Sequence, residues 1–185
     1  TIAVSTPAGG GGTYFGTGER ISFTVTVTDA SGNPIDIDSA NLSRDRFYIY
    51  GPLDQSQAVA SQNLMDVTSP SGYVSLLGAH TGLSVSGNVA TFVTGAIDAE
   101  PAGTYRAVAW LASKTQTYDR AVVIKEFQIK TATVETETVA KTKCATCHRG
   151  ADNDHHYFAH SDPTAFSATG VYELYYDELP PVGDP

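Results

Sequence analysis

The chain has 185 residues, 41% hydrophobic and 17% charged, a globular composition that excludes a charge-rich disordered polymer and allows one large domain or an ordinary domain with an appendage. Acidic side chains outnumber basic ones by 20 to 11, and the formal charge of −9 repels phosphate backbones, so nucleic acid is not an expected partner. No run of about 18 apolar residues is present to cross a bilayer as a helix, and a chain that opens at Thr1, without Met or a charged-then-apolar leader, is expected to be processed or excised.

Seventeen Gly, nine Pro and many Thr, Ser, Val and Tyr favour short strands and frequent turns, so an all-β body is expected. Residues 1–18 read as a first strand at Ile2 to Ser5 followed by a loose, glycine-rich arm at Ala8 to Gly12. From Glu19 to Asp29, Ile21, Phe23, Val25 and Val27 alternate with Ser and Thr, the period of a strand with one buried face. The cluster Asp29-Ala-Ser-Gly-Asn-Pro34 ends it in a turn. Further strands are expected at Arg46 to Tyr50, Tyr73 to Leu77, Leu83 to Val85 and Val89 to Val93, the last two joined by a tight turn at Ser86-Gly87-Asn88.

Two long strands follow. In Gly103 to Ala112 one face carries Tyr105, Ala107, Ala109 and Leu111. In Ala121 to Lys130 the apolar phase shifts from Val122 and Ile124 to Phe127 and Ile129, which predicts a bulge. Some seven short strands with turn signals predict an antiparallel β-sandwich over residues 19–139, of immunoglobulin-like type. The Gly103-Thr-Tyr-Arg106 run resembles a strand start common in extracellular sandwich domains, although the paired core cysteines of antibody domains are missing. Thr131 to Val139 reads as an extended connector or a last strand, and a second, irregular module begins at Ala140. Residues 140–185 are too few to build a core unaided.

That module holds four of the five histidines and the only two cysteines, in Lys143-Cys144-Ala-Thr-Cys147-His148. Cys-x-x-Cys-His is the attachment sequence of c-type haem. Two thiols at this spacing add to the two porphyrin vinyl groups, and the adjacent imidazole becomes the proximal iron ligand. One covalent haem c, held by Cys144, Cys147 and His148, is therefore expected, and it would supply the missing apolar bulk. Two other readings of the cysteine pair stand beside it: half of a zinc site, which lacks a second cysteine pair, and a thioredoxin-like redox pair, which lacks a βαβ context. Asp152 and Asp154 suggest a calcium loop only weakly, because the distal bidentate Glu is absent.

Candidates for the second axial ligand are His160, His156, His155, His80 and Met65. To pass from one haem face to the other, the chain must round about 20 Å of porphyrin edge, at no more than about 3.6 Å per residue. His160, twelve residues past His148, reaches comfortably; His155 and His156 reach with little to spare. Met65, in an expected loop, reads as a packing residue. Bis-histidine ligation predicts a low potential and electron transfer without an open coordination position.

Lys141 to His160 resembles the multihaem c-type cytochromes of bacterial cell surfaces, and a β-sandwich ahead of it is similar to the alternating plan of outer-surface metal-reducing cytochromes. The resemblance implies thioether bonds at Cys144 and Cys147, proximal ligation by His148, distal ligation by a later histidine, and an extracytoplasmic location, whether periplasmic, at the cell surface or extracellular. Those proteins carry many attachment motifs and this chain carries one, so it is expected either to be a piece of a longer cytochrome or to work with partners: other cytochromes or redox proteins, or copies of itself, assembled through sandwich edges. The alternative is a structural or adhesive subunit of a surface filament. No Gly-x-Ser-x-Gly, phosphate loop or His-Glu-x-x-His motif is present, so the chain reads as an electron carrier and not an enzyme.

Overall fold

The computed structural model describes residues 1–53, 62–65, 73–114 and 120–135, and within them the alternation begun at Ile21 becomes a strand whose apolar residues all face one way. The elements in chain order are β1 (Ile2–Val4), β2 (Arg20–Thr26), β3 (Leu42–Tyr50), the short helix α1 (Gln62–Met65), β4 (Val74–Ser75), β5 (Leu83–Ser86), β6 (Val89–Ala96), β7 (Gly103–Ser113) and β8 (Arg120–Ile129). They form two four-stranded sheets, ordered β1-β2-β6-β5 and β4-β3-β7-β8, with every ladder antiparallel. Among the described residues no helix is long and apolar enough to cross a membrane.

The two sheets share one core. Ile21, Phe23, Val25, Ala90 and Phe92 of the first meet Phe47, Ile49, Tyr105, Ala107, Ala109, Phe127 and Ile129 of the second. Ring contacts cross the interface: Phe23 lies 5.3 Å from both Phe47 and Phe127, and Phe47 lies 5.7 Å from Phe92. Each such ring, taken fully out of water, contributes about 1.5–3 kcal/mol, so this aromatic seam is the main tie between the sheets. Met65, on α1, is fully buried in the same core. It is the packing residue expected, although it stands on a helical turn and not in a loop.

The turns follow their residue chemistry. The Asp29 carboxylate accepts the backbone N–H groups of Ser31 and Asn33, both at 2.8 Å, and closes the turn after β2. Gly87 and Asn88 form the two-residue link between β5 and β6. At the other end of the fold, the Tyr105 hydroxyl donates 2.9 Å to the Pro101 carbonyl and pins the loop entering β7. Where the β2–β6 register shifts between Arg20 and Ser22, the Thr94 hydroxyl accepts the Ile21 N–H at 3.0 Å and satisfies a group the ladder has lost.

Three sequence expectations are corrected. The predicted bulge in β8 is absent: β7 and β8 pair without interruption from Gly103↔Ile129 to Ala112↔Arg120. Phe127 and Ile129 face the shared core, whereas Val122 and Ile124 pack on a second cluster on the opposite face, so the apolar phase changes because both faces are apolar. The glycine-rich arm is not loose. Gly9 pairs with Tyr14, and a Cβ on Gly10 would fall 2.1 Å from the Tyr14 ring, so glycine is needed there for packing. Glu19 holds both ends of this segment by accepting the N–H groups of Ala8 and Gly16, while Phe15, 2% exposed, enters the core. Finally, the strand expected at Tyr73 to Leu77 pairs only at Val74 and Ser75, because the Asp45 carboxylate takes the Leu77 N–H and draws the chain off the ladder.

Candidate functional site

Cys144, Cys147, His148, His155, His156 and His160 lie outside the described residues, as do residues 136–139 of the expected connector. Two of the ligand candidates, His80 and Met65, lie among the described residues, which run up to Glu135.

His80 follows β4. Its Nδ1 lies 2.7 Å from the Thr81 carbonyl, which can only accept, so in the neutral ring Nδ1 carries the proton and Nε2 keeps the lone pair. That is the tautomer a metal ligand requires. Nε2, however, is buried with no hydrogen-bond partner, and the ring stands edge-on to Phe92 at 5.5 Å. A metal would reach this nitrogen only if the ring turned away from Phe92. A cleft of about 540 Å³ adjoins it, walled by Ile37, Leu76, Leu77, Leu83 and Val85. Met65 has no exposed surface and packs in the shared core. Among the described residues no three His, Cys, Asp or Glu side chains gather as a metal site.

The chain leaves the platform at a defined place. Glu135 donates its backbone N–H to the Thr104 hydroxyl at 2.8 Å, and its carboxylate accepts the Thr104 N–H at 2.9 Å. Gly103 leaves room for this clamp, since a Cβ there would lie 2.6 Å from the Glu135 carboxylate. Thr104 shares strand parity with Arg106, Val108 and Trp110, so the last described residue sits on the face of the second sheet that turns away from the shared core.

That face is a feature the sequence reasoning missed. Tyr48, Val108 and Trp110 are buried on it, with Tyr50, Tyr73, Val122 and Ile124 packed around them. The Arg44 guanidinium lies 4.1 Å from the centre of the Trp110 ring, and that of Arg46 lies 4.6 Å from Tyr73. Burial pushes the Tyr48 phenol above its ordinary range, opposed by the hydrogen bond it receives from Arg46. Burial works against the Arg46 charge, yet the Tyr48 contact leaves that guanidinium more firmly protonated than usual. Towards Thr104, buried Arg106 pairs with Glu126 at 2.9 Å. The marker in the sequence is a second period-two series, Arg44, Arg46, Tyr48, Tyr50, running out of phase with Phe47 and Ile49.

Compared with family models and with curated protein sequences, the chain matches none.

Proposed function

We propose that this chain is an extracytoplasmic electron-transfer protein, an immunoglobulin-like sandwich that carries a single c-type haem on its C-terminal segment. The observation that carries the reading is Cys144-Ala-Thr-Cys147-His148, which uses the only two thiols in the chain at the spacing of the porphyrin vinyl groups and sets an imidazole beside them. This donor set fits the group. Cys144 and Cys147 would hold it covalently and His148 would ligate the iron, with His160, or failing it His156 or His155, on the other side. When bound, the haem supplies a one-electron ferric/ferrous couple. Ligation by two of these imidazoles would hold that couple low in potential and leave the iron closed to exogenous ligands.

The fold supports the sandwich half of the reading. Named A to G in chain order, with β4 as C′, the strands follow the ABED and C′CFG arrangement of immunoglobulin-like domains. The bond from Tyr105, near the start of β7, to Pro101 four residues upstream has the form of the tyrosine corner of such domains and supports the reading. Among the described residues strand β8 is an edge ten residues long, bridged by Phe15 at Ile129, and it offers a route to association with other redox proteins or further copies.

The deciding experiment is export of the full chain through a c-type maturation system, followed by intact-mass measurement and a pyridine haemochrome spectrum. The expected result is one added macrocycle with the spectrum of a doubly thioether-linked haem, lost in C144S/C147S. A polypeptide of bare mass would overturn the proposal. The ferrous protein should leave carbon monoxide unbound, and rapid binding would replace electron transfer by ligand sensing or peroxide chemistry.

A further inference from the structure

We infer that strand β8 is the dimer edge of this protein: residues 120–126 of two copies pair antiparallel about a two-fold axis at Val123, joining their second sheets into one. The inference rests on the fold and on no part of the haem reading, and it commits the edge to a second copy of this chain.

The first observation is a contrast among edges. The two sheets end in four edge strands, β1, β5, β4 and β8. Strand β1 has three residues, β5 four and β4 two, and shortness of this kind keeps a sheet edge from pairing. Strand β8 has ten, and its ladder with β7 runs from Gly103↔Ile129 to Ala112↔Arg120 with no bulge to turn it aside. Its middle, Ala121-Val-Val-Ile124, holds no charge, Pro or Gly. Val123 is partly buried against the shared core, and Val122 and Ile124 against the outward cluster, so apolar surface reaches this edge on both faces.

The second observation is which backbone groups face off the sheet. Phe15 donates its N–H to the Gln128 carbonyl at 2.9 Å and accepts the Lys130 N–H at 2.8 Å. Even-numbered residues of β8 therefore turn their N–H and C=O away from β7. By the alternation of an antiparallel ladder, residues 120, 122, 124 and 126 do the same, and among the described residues no strand lies beside them. Phe15 closes the edge beyond, so the open stretch is 120–126 and Val123 is its midpoint.

The third observation is self-complementarity. A two-fold axis at Val123 uses the whole open stretch, sets Val122 across from Ile124, and brings Arg120 opposite Glu126 at both ends. An axis at Lys125 or Glu126 sets like charges against each other and runs the partner strand into the place of Phe15. A foreign strand would have to supply this pattern by its own sequence, whereas a second copy supplies it by symmetry.

The test uses the full chain. Sedimentation velocity should show a monomer–dimer equilibrium that shifts with concentration. Ile124→Pro removes an N–H that points off the edge and none from the β7 ladder, so it should weaken the dimer about tenfold or more while the unfolding transition persists. That variant also alters a packed side chain, so a second measurement leaves the edge intact. In C144S/C147S, V123C puts a lone thiol on the axis, where the Cα atoms of facing residues lie about 4.5 Å apart, within the span of a disulfide. Mild oxidation should link two chains through position 123. K125C should not link, because its two copies stand four residues out of register, about 13 Å along the strand. A chain that is monomeric at every concentration, a dimer that Ile124→Pro leaves unchanged, or K125C linking as fast as V123C each overturns the inference. Intact mass on the sedimented samples keeps the two proposals apart. A dimer of bare polypeptide removes the haem and keeps the edge, whereas a haem-bearing monomer does the reverse.

Discussion

The two sheets treat their outward faces differently. In the first, β2 turns Ser22, Thr24 and Thr26 outward and buries Ile21, Phe23 and Val25, the alternation of a sheet with water on one side. In the second, β7 is buried from Gly103 to Ala112 on both faces, with Tyr105, Ala107, Ala109 and Leu111 in the shared core and Arg106, Val108 and Trp110 opposite. A strand with one dry face supports a body. A strand with two is an interior strand of the fold, and Glu135, the last described residue, is bonded to Thr104 near its start.

The largest expected effect separates the two faces. Phe47 touches both Phe23 and Phe92, so Phe47→Ala empties the middle of the seam and should cost about 3–5 kcal/mol in chemical denaturation. Trp110→Phe, on the other face, keeps a ring beneath Arg44 and should cost only about 1 kcal/mol. Equal costs would mean that the outward cluster is as integral to folding as the core, and the contrast would fail.

A charged pair sharpens the same comparison. Arg106 is 4% exposed at its side chain and Glu126 37%, so the guanidinium bears most of the desolvation. Glu126→Ala should therefore destabilise by about 2–3 kcal/mol, less than a fully buried pair because water reaches the carboxylate side. Replacing both partners, as R106M/E126L, should recover most of that loss, since no charge is left buried without its partner. A double variant as unstable as the single one would show that Arg106 acts through something other than Glu126.

His80 gives a smaller effect and a check on ligation. With Nε2 turned into the protein beside Phe92, His80→Ala should remove one ring contact at a cost of about 1 kcal/mol or less, leaving the visible spectrum of the matured protein unchanged. His160→Ala should instead change that spectrum. A spectral change with His80→Ala alone would move the proposed distal ligand out of the C-terminal segment.

How legible all this is in the sequence depends on how many faces a segment buries. Ile21 to Val27 reads correctly because one face is wet, and so does the Tyr105 to Leu111 series. Val122, Ile124, Phe127 and Ile129 mislead because periodicity cannot tell a phase shift from a second apolar face. Gly9 and Gly10 mislead for another reason: composition reads glycine as freedom, whereas here its missing side chain admits the Tyr14 ring. The cysteine motif lies outside the described residues, and its reading rests on local spacing alone. The partners of Arg44 and Arg46 are not readable in that way, because stacking across β3, β4 and β7 depends on register.

The smallest expected effect concerns acid, and it bears on the wet side of the comparison, where stability rests on turns. The Glu19 carboxyl is held below its ordinary range by the backbone N–H groups of Gly16 and then Ala8, and that of Asp29 by the side-chain amide and then the backbone N–H of Asn33. Both groups have lower pKa values folded than unfolded, so their stabilisation is complete above the unfolded values of 4.5 and 3.8 and is lost as pH falls through the folded ones. Denaturant midpoints should be level near neutrality on this account and decline from about pH 4.5 downwards. Glu19→Gln should be less stable at neutral pH and should lose the first part of that decline, because the amide cannot gain the proton that releases Ala8 and Gly16. If the variant declines as steeply as the native chain over the same range, the acid sensitivity belongs to other carboxylates, and the N-terminal segment is held chiefly by Tyr14 and Phe15.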